Sequence, residues 1–596
     1  PVSMHDINDK SEQSGYYMNF SLDVDIIKNM LSAKVLYGLN KENTSRDSYI
    51  PSDIYYALQR KSRGNLGYGK RQQSTLEGTL TFQHKFGELL DMNLMAGMGR
   101  YLDSGDGSDI SYENANDHIQ GSSVGMADGP FYPTSYKYKN EKRSQFVRGS
   151  FDLFGRYVVS ASLRRDGTDK FFPSKKYALF PSVSLAWKMN EESFIKNISW
   201  INMLKLRASY GETGSDNLGT TLYGIVTTTR EDVQFNNNSV TYIPYILSGA
   251  NYEDVTWQKT VMKNIGLDFS IFRDRIWGSV DVFRNDVTHL LGTAPTELLG
   301  MHGTRPINGG HYKRTGVDVS LNSLNLQTHD FKWTSQITLS HYNAVWIERM
   351  PNYDYQKYQK RKNEPMNAFY YYKTTGIINV DKSNMPESQR SLGPAACMPG
   401  YPIVEDKNGD GIIDVNDSYM DNMLPKLYFG FGNTFTWKNF DLDIFMYGQL
   451  GVKKWNDAYS YSADAGNLSR GVDAHNVGIY SYNIWNTQTN TNGYFPGIAI
   501  SKSVALPENL GFDYTRENAS YIRVRNITLG YNLGPKELSV FKGYIRGIRV
   551  FVDFQNPLTF TKYKGYDPEI NTSSSNLTGG QYPQMRVYSI GAKLTF

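Results

Sequence analysis

The chain reads as an all-β protein, a transmembrane antiparallel β-barrel of about seventeen strands, and three observations lead there. Apolar and polar residues alternate with period two, the connections between alternating segments switch between short and long, and the composition is that of a sheet protein. Period-two alternation puts successive side chains on opposite faces of a strand. From Asn19 to Ile26, Phe20, Leu22, Val24 and Ile26 share one face and Asn19, Ser21, Asp23 and Asp25 the other. Phe331, Trp333, Ile337 and Leu339 oppose Lys332, Thr334, Gln336, Thr338 and Ser340 in the same way, and the split recurs from Tyr588 to Phe596.

Segments of this kind begin near Tyr16, Met30, Thr75, Leu89, Ser144, Arg156, Leu179, Met203, Thr260, Arg275, His311, Phe331, Lys426, Phe440, Ser520, Ile545 and Val587. Their length, roughly ten residues, is what a tilted strand needs to cross a hydrocarbon layer. Short turns fall at Lys28-Asn29, Gly87-Glu88, Gly155, Arg273-Asp274, Thr328-His329-Asp330 and Lys438-Asn439. Long loops run over about 40–74, 102–143, 213–259, 343–425, 452–519 and 557–586. A soluble sandwich or propeller has no reason to gather its long loops at one end, whereas an outer-membrane barrel has short periplasmic turns and long extracellular loops.

Composition bounds the alternatives. The 596 residues include 53 Gly and 44 Tyr, with aromatics at 14 %, a β-rich profile. Lys and Arg number 63 against 59 Asp and Glu, for a net charge of +4, and they are scattered, so no basic face for nucleic acid is built. The lone cysteine, Cys397, excludes an internal disulfide and a Cys-based zinc ribbon. No run of about 18 apolar residues is present, which excludes a membrane-crossing helix and leaves strands as the way across. The first and last segments both descend toward the periplasm, so an odd number of strands, and any domain that accompanies them, is expected before Pro1 unless the strand count is off by one.

Several blocks together resemble the SusC/RagA family of TonB-dependent outer-membrane transporters. They are Ser160–Thr168, Phe180–Trp187, Leu204–Gly214, Val255–Thr260, Asn264–Phe269, Gly278–Phe283, Tyr372–Ile377, the acidic run from Asp406, and Tyr521–Tyr531, and their order and spacing agree from about Ser144 to Phe596. The resemblance implies that residues 1–596 form the larger part of a barrel of about twenty-two strands, in the bacterial outer membrane and surrounded by its lipid. An N-terminal plug and its TonB box are not recognisable in this chain. It further implies a SusD-like surface lipoprotein as a lid, TonB as the energy source, assembly as a dimer of transporter–lipoprotein pairs, and import of oligosaccharides or peptides. Two other readings stay open: an importer of siderophores or vitamins, and a secreted calcium-dependent carbohydrate-binding β-protein.

Two features could carry chemistry. Asp406-Lys-Asn-Gly-Asp-Gly-Ile-Ile-Asp-Val-Asn-Asp417, in the long loop 343–425, is EF-hand-like: Asp406, Asn408, Asp410, the Ile412 carbonyl, Asp414 and Asp417 could offer oxygens to calcium around the turn at Gly411. Position twelve is Asp where an EF-hand has Glu, and an Asx- and Gly-rich turn without metal is the plainer alternative. The long loops are also rich in aromatics, and Tyr355, Tyr358, Tyr370, Tyr371, Trp455, Tyr459 and Tyr461 are candidates to stack on a sugar or peptide. Membrane-interface girdles or loop packing account for such residues equally naturally. Catalytic signals are absent: Gly64–Lys70 looks like a phosphate loop but is followed by Arg71 and reads as a Gly-rich loop, and no protease or hydrolase motif occurs, so no enzyme is expected. The cluster Arg164, Arg165, Asp166 and Asp169 reads as mutual salt bridging in water.

Overall fold

A computed structural model describes residues 7–52, 61–115, 124–218, 228–230, 235–237, 240–242, 245–247, 253–295, 304–351, 359, 363–456, 483–497, 506–514, 516–534, 537–538, 540, 544–565, 567–570 and 583–595. Seventeen long strands form one antiparallel sheet in which each pairs with its neighbour in sequence. They are β1 (Asn8–Ile27), β2 (Leu31–Ile50), β3 (Arg63–Phe86), β4 (Leu90–Glu113), β5 (Phe131–Leu153), β6 (Tyr157–Thr168), β7 (Tyr177–Lys188), β8 (Ile201–Ser215) and β9 (Gln258–Ile271). There follow β10 (Ile276–Pro295), β11 (Thr304–Gln327), β12 (Phe331–Glu348), β13 (Leu427–Trp437), β14 (Phe440–Leu450), β15 (Tyr521–Leu533), β16 (Gly547–Thr561) and β17 (Val587–Thr595). Among the described residues, β1 pairs only with β2 and β17 only with β16. No described helix is long and apolar enough to cross a membrane.

Every alternating segment read from the sequence is one of these strands, but the strands are longer than expected. β3 and β4 have 24 residues each, and their register runs unbroken from Phe86↔Leu90 to Arg63↔Glu113. Much of what reads as loop at 40–74 and 102–143 is therefore sheet. Above the lipid no greasy face is required, so the alternation fades while the backbone hydrogen bonds continue. Gly64–Lys70 lies inside β3, not in a loop. Gly64 is needed there because a Cβ would fall 2.2 Å from the buried ring of Tyr112.

The short turns lie at one end of the sheet, as expected, with two longer exceptions: residues 189–200 hold a helical turn, Ser193–Lys196, and the connection from β15 to β16 runs from 534 to 546. At the turn after β9, Phe272, Arg273 and Asp274 all have φ near +58 to +59°, an unfavourable backbone for non-glycine residues. The Asn202 side chain compensates by accepting hydrogen bonds from the amides of Arg273 (2.7 Å) and Asp274 (3.3 Å).

Register fixes which side chains share a face. Val24, Ala33, Leu80, Ala96, Val147, Leu163 and Pro181 stand in one row across β1 to β7. Leu206, Leu267, Val280, Val319, Leu339 and Phe429 continue such a row across β8 to β13. This face is apolar and exposed, as a lipid-facing wall must be. Near the short turns the same face carries Trp187, Trp200, Phe272, Trp437, Phe440 and Tyr531, which pack pairwise into an interface girdle. The opposite face is polar: Ser340 donates to Asp318 (2.6 Å), Arg207 bridges Asp268 (2.7 Å) and Asp281 (3.1 Å), and Arg549 pairs with Asp441 (2.5 Å).

A bulge in β15 breaks this parity close to the polar rim. In β15, Arg523 has the same sequence parity as the outward Ile527 and Leu529, yet Arg525 is bulged out of register against both β14 and β16. The extra residue shifts the phase, so Arg523 faces inward opposite Tyr447.

Leu267→Arg, on the outward face near mid-strand, is expected to cost about 2–4 kcal/mol of folded stability in a bilayer. Urea unfolding in liposomes checks it, with the inward Ser184→Arg expected to stay within about 1 kcal/mol of wild type.

Candidate functional site

The long loops fold into small packed bodies on the extracellular ends of the strands. At β5 to β9, Phe171, Phe180, Leu218, Val255 and Trp257 form a buried cluster. Trp257 meets Phe171 and Phe180 edge-on and donates from its indole to the Lys176 carbonyl (3.0 Å). Beside it the buried Asp216 accepts from Lys142 (2.6 Å) and Thr168 (2.9 Å). Burial pushes the Asp216 carboxyl up, but Lys142 and Thr168 outweigh it and hold the group below the ordinary carboxylate range. Four separate sequence blocks thus meet in one anchor. Of the Arg164 cluster, Arg164 pairs with Asp166 (2.8 Å), while Arg165 stacks on Tyr177 (4.1 Å) and Asp169 accepts the Glu141 amide (2.8 Å).

The second body comes from the described residues of 349–426 and 451–520. Ala368–Tyr372 pairs antiparallel with Tyr419–Asn422 and parallel with Gly511–Phe512. Its core joins Tyr372, Val404, Ile413 and Leu506 to Ile378, Ala396, Tyr401 and Ile403. Arg516, its side chain 4 % exposed, lies over Phe369 (4.2 Å) and Tyr371 (5.4 Å) and donates to Asp421 (3.0 Å), which Lys453 also approaches (3.1 Å). Burial pushes the Tyr371 phenol up to about 12, assisted by Asp421.

These positions correct the aromatic candidates. Tyr370 and Tyr371 are 6 % and 8 % exposed; Tyr370 donates to the buried Glu364, and Tyr371 stacks on Tyr419. Both are packing residues of the loop body with little surface left for a ligand. The backbone of Lys453–Trp455 pairs with Arg516–Asn518, which ties Trp455 into the same body. Tyr355, Tyr358, Tyr459 and Tyr461 lie outside the described residues.

The acidic loop is closed by its own donors. Asp406 accepts the amides of Gly409 (2.7 Å) and Gly411 (2.9 Å), Asn408 accepts that of Asp410 (3.1 Å), and Asp410 accepts that of Ile412 (2.9 Å). Asp414 accepts the amide of Asn416 (2.7 Å), and the fully buried Asp417 takes those of Lys407 (2.9 Å) and Asp414 (2.8 Å). Tyr372 donates to the Asp414 carbonyl (3.0 Å), locking the turn onto the loop core. Among the described residues no three His, Cys, Asp or Glu side chains are grouped as a cation needs, and the carboxylates of the loop are engaged by its own amides in the manner of an Asx-rich turn.

Surface open to a ligand lies on the inner wall, which sequence alone did not single out. One recess of about 540 Å³ is lined by Ser184, Ser209, Asn264, Asn285, Arg314 and Asp318. A second of about 500 Å³ shares Asp318 and adds Ser320, Thr338, Ser340, Tyr428, Gln449 and Glu569. Near them Tyr342 and Tyr428 stack nearly parallel (5.7 Å, 1°), with the Arg314 guanidinium 3.8 Å from the Tyr342 ring. Flat rings, hydroxyls and a fixed cation in recesses of this volume suit a polar ligand with some apolar faces. At the rim, Arg523 binds Asp567 (2.7 Å) and Glu569 (2.6 Å), and Tyr447 donates to Glu569 (2.8 Å), fastening residues 567–570 to the wall. Burial raises the Asp567 carboxyl, but the amides of Glu569 and Gln584 together with Arg523 outweigh it and depress it.

A β-sheet with a greasy outside, a wet inside and packed bodies on one rim is a membrane-spanning barrel of the bacterial outer membrane. The chain belongs to the TonB dependent receptor-like β-barrel family, whose model matches residues 2–556. It is 26 % identical, over 99 % of its own length and 58 % of the relative's, to TonB-dependent receptor P3 of Formosa agariphila. With TonB-dependent receptor SusC of Bacteroides thetaiotaomicron the identity is 27 %, over 78 % of this chain and 44 % of SusC. The chain therefore spans about half the length of these curated relatives. In solved structures its fold matches a chain of the RagAB peptide transporter with a TM-score of 0.79, at 21 % identity over 99 % of this chain and 63 % of that one. This bears out the SusC/RagA likeness, and the relatives are receptors and a transporter rather than enzymes.

Arg516→Ala is expected to loosen the second loop body by about 2 kcal/mol, since it strips Asp421 of a buried partner and two rings of their cation. Faster amide exchange across 368–422 with no change in the barrel strands is the signature. Asp417→Ala should open the acidic turn, because it removes the buried acceptor of the Lys407 and Asp414 amides, read by limited proteolysis near Gly409. Because the Asp567 carboxyl is depressed on folding, its contribution is present above its unfolded value of about 3.9 and is lost as pH falls through the lower folded value. Amide exchange at 567–570 should rise below about pH 4, and Asp567→Asn should show the same release at pH 7.

Proposed function

We propose that this chain is the channel wall and outer rim of a TonB-dependent importer for oligomeric nutrients, oligosaccharides or peptides, working beneath a SusD-like lipoprotein lid. The observation that carries the reading is the pair of adjoining inner recesses, where the Tyr342–Tyr428 stack and Arg314 stand beside a run of hydroxyl, amide and carboxylate groups. An extended polymer segment offers repeated polar edges and alternating apolar faces to such a wall, whereas a compact metal chelate would use few of them. The structural likeness to a chain of the RagAB peptide transporter supports a peptide among these cargoes.

In this mechanism the loop bodies give the lid a firm seat, cargo passes from the lid to the inner recesses, and energy from TonB opens the way through the lumen. The wall residues bind and orient; none has to perform chemistry. Calcium at the acidic loop is proposed only in the form that the ion takes the Asp406 and Asp410 oxygens from the amides they now accept; a calorimetric titration without heat refutes it.

Purification of the full-length protein from its own membrane in mild detergent, followed by mass spectrometry, is expected to recover a surface lipoprotein and a bound glycan or peptide. Arg314→Ala with Tyr428→Ala should lower uptake of that cargo by ~tenfold at unchanged barrel yield, a loss of ~1.4 kcal/mol. Uptake confined to ferric chelates or vitamins, or no effect of the double variant, would overturn the proposal.

A further inference from the structure

A recess of about 710 Å³ opens on the outward face and not on the lumen. Its lower half is apolar: Leu185, Ala208, Ile265, Val282 and Val317 lie in one row across β7 to β11. Ala208 is the notch, a small side chain between Leu185 and Ile265, which are 53 % and 62 % exposed. One row toward the extracellular ends the same face turns polar, with Tyr210, Lys263, Arg284 and Thr315.

Height places this change of character. Lys263 lies nine residues above Phe272 at the short turn, and at about 3.3 Å per residue and a tilt of about 40° that is ~23 Å, close to the apolar thickness of an outer-membrane barrel. The cations therefore stand where acyl chains give way to headgroups in the outer leaflet. Arg284 is held by Asp286 (2.8 Å) and Lys259 by Glu212 (2.5 Å), so these pairs cancel. Lys263, and Lys313 opposite Asp286 in register, make no hydrogen bond or ion pair among the described residues.

From this we infer that the outward groove over β7 to β11 is a binding site for one phosphate-bearing glycolipid of the outer leaflet, its acyl chains in the Ala208 notch and its phosphate at Lys263, with Lys313 one step higher. Charge complementarity selects the occupant. A neutral lipid has no anion for the two ammonium groups and a zwitterionic one brings its own cation beside them, whereas a phosphate without a countercharge gains a charge-assisted hydrogen bond at the edge of a low-dielectric layer. The tyrosine and threonine hydroxyls of the same row suit the sugar that carries the phosphate.

The test uses the full-length protein in detergent and a synthetic acylated glucosamine disaccharide phosphate as probe, read by native mass spectrometry. Two variants attack the site independently: Lys263→Glu with Lys313→Glu reverses its charge, and Ala208→Trp fills the notch at constant charge. Each is expected to weaken retention of the probe at least tenfold while the unheated protein keeps its fast, folded migration on a gel. The dephosphorylated probe should bind wild type as weakly as the phosphorylated probe binds the charge variant. If a variant loses folded migration, Lys263→Gln with Lys313→Gln replaces it and should give a smaller loss in the same direction. Equal retention by wild type and variants, or equal binding of the probe with and without phosphate, overturns the inference. Cargo uptake is a separate readout, and its failure leaves this result standing.

Discussion

A polypeptide in hydrocarbon has no water to satisfy its amides, and everything in this molecule follows from that constraint. Each strand must give its hydrogen bonds to neighbours, which produces an unbroken ladder from β1 to β17. Once the backbone is committed to a sheet, side chains have only two destinations. One must be greasy and the other is free to be wet. The low mean hydropathy of −0.51 is thus compatible with a membrane protein, because only every second residue of a spanning segment meets lipid.

This is also why the strands were legible in sequence while their ends were not. Alternation reports lipid, not hydrogen bonding. It picked out Asn19–Ile26 within β1 and Phe331–Ser340 within β12, and it fell silent over Asn40–Ile50 and Arg63–Ser74, where β2 and β3 stay paired outside the membrane. The candidate site was less legible. Aromatic density pointed to Tyr370 and Tyr371, which serve the loop core, because counting rings in a loop says nothing about whether they face in or out. The Arg314–Tyr342–Tyr428 group draws on three strands, and only register brings it together. Asp567 and Glu569 meet Arg523 from more than 40 residues away, a pairing no local pattern announces.

The loop bodies show a division of labour. Sequence blocks that carry the family likeness, such as Val255–Thr260 and Phe180–Trp187, supply the Trp257 and Phe180 rings of an anchor, while Ser184 of the second block goes on to line an inner recess. Their role is to make the rim firm. A firm rim matters to a protein whose inner wall must present the same polar row to each arriving cargo, since a wandering rim would spend binding energy on ordering itself.

The additional residue at Arg525 has a wider meaning for how such walls evolve. A ribbon whose two sides are assigned to oil and to water can exchange those assignments partway along its length by taking in a single amino acid, at the cost of a local irregularity at Asn556 and Pro557 in one of the ribbons beside it. Charge can then be stationed on the aqueous side at one height without rewriting the greasy pattern beneath. Lengthening or shortening the chain by one unit within the wall is therefore a way of redrawing the inner surface, as well as a hazard to it.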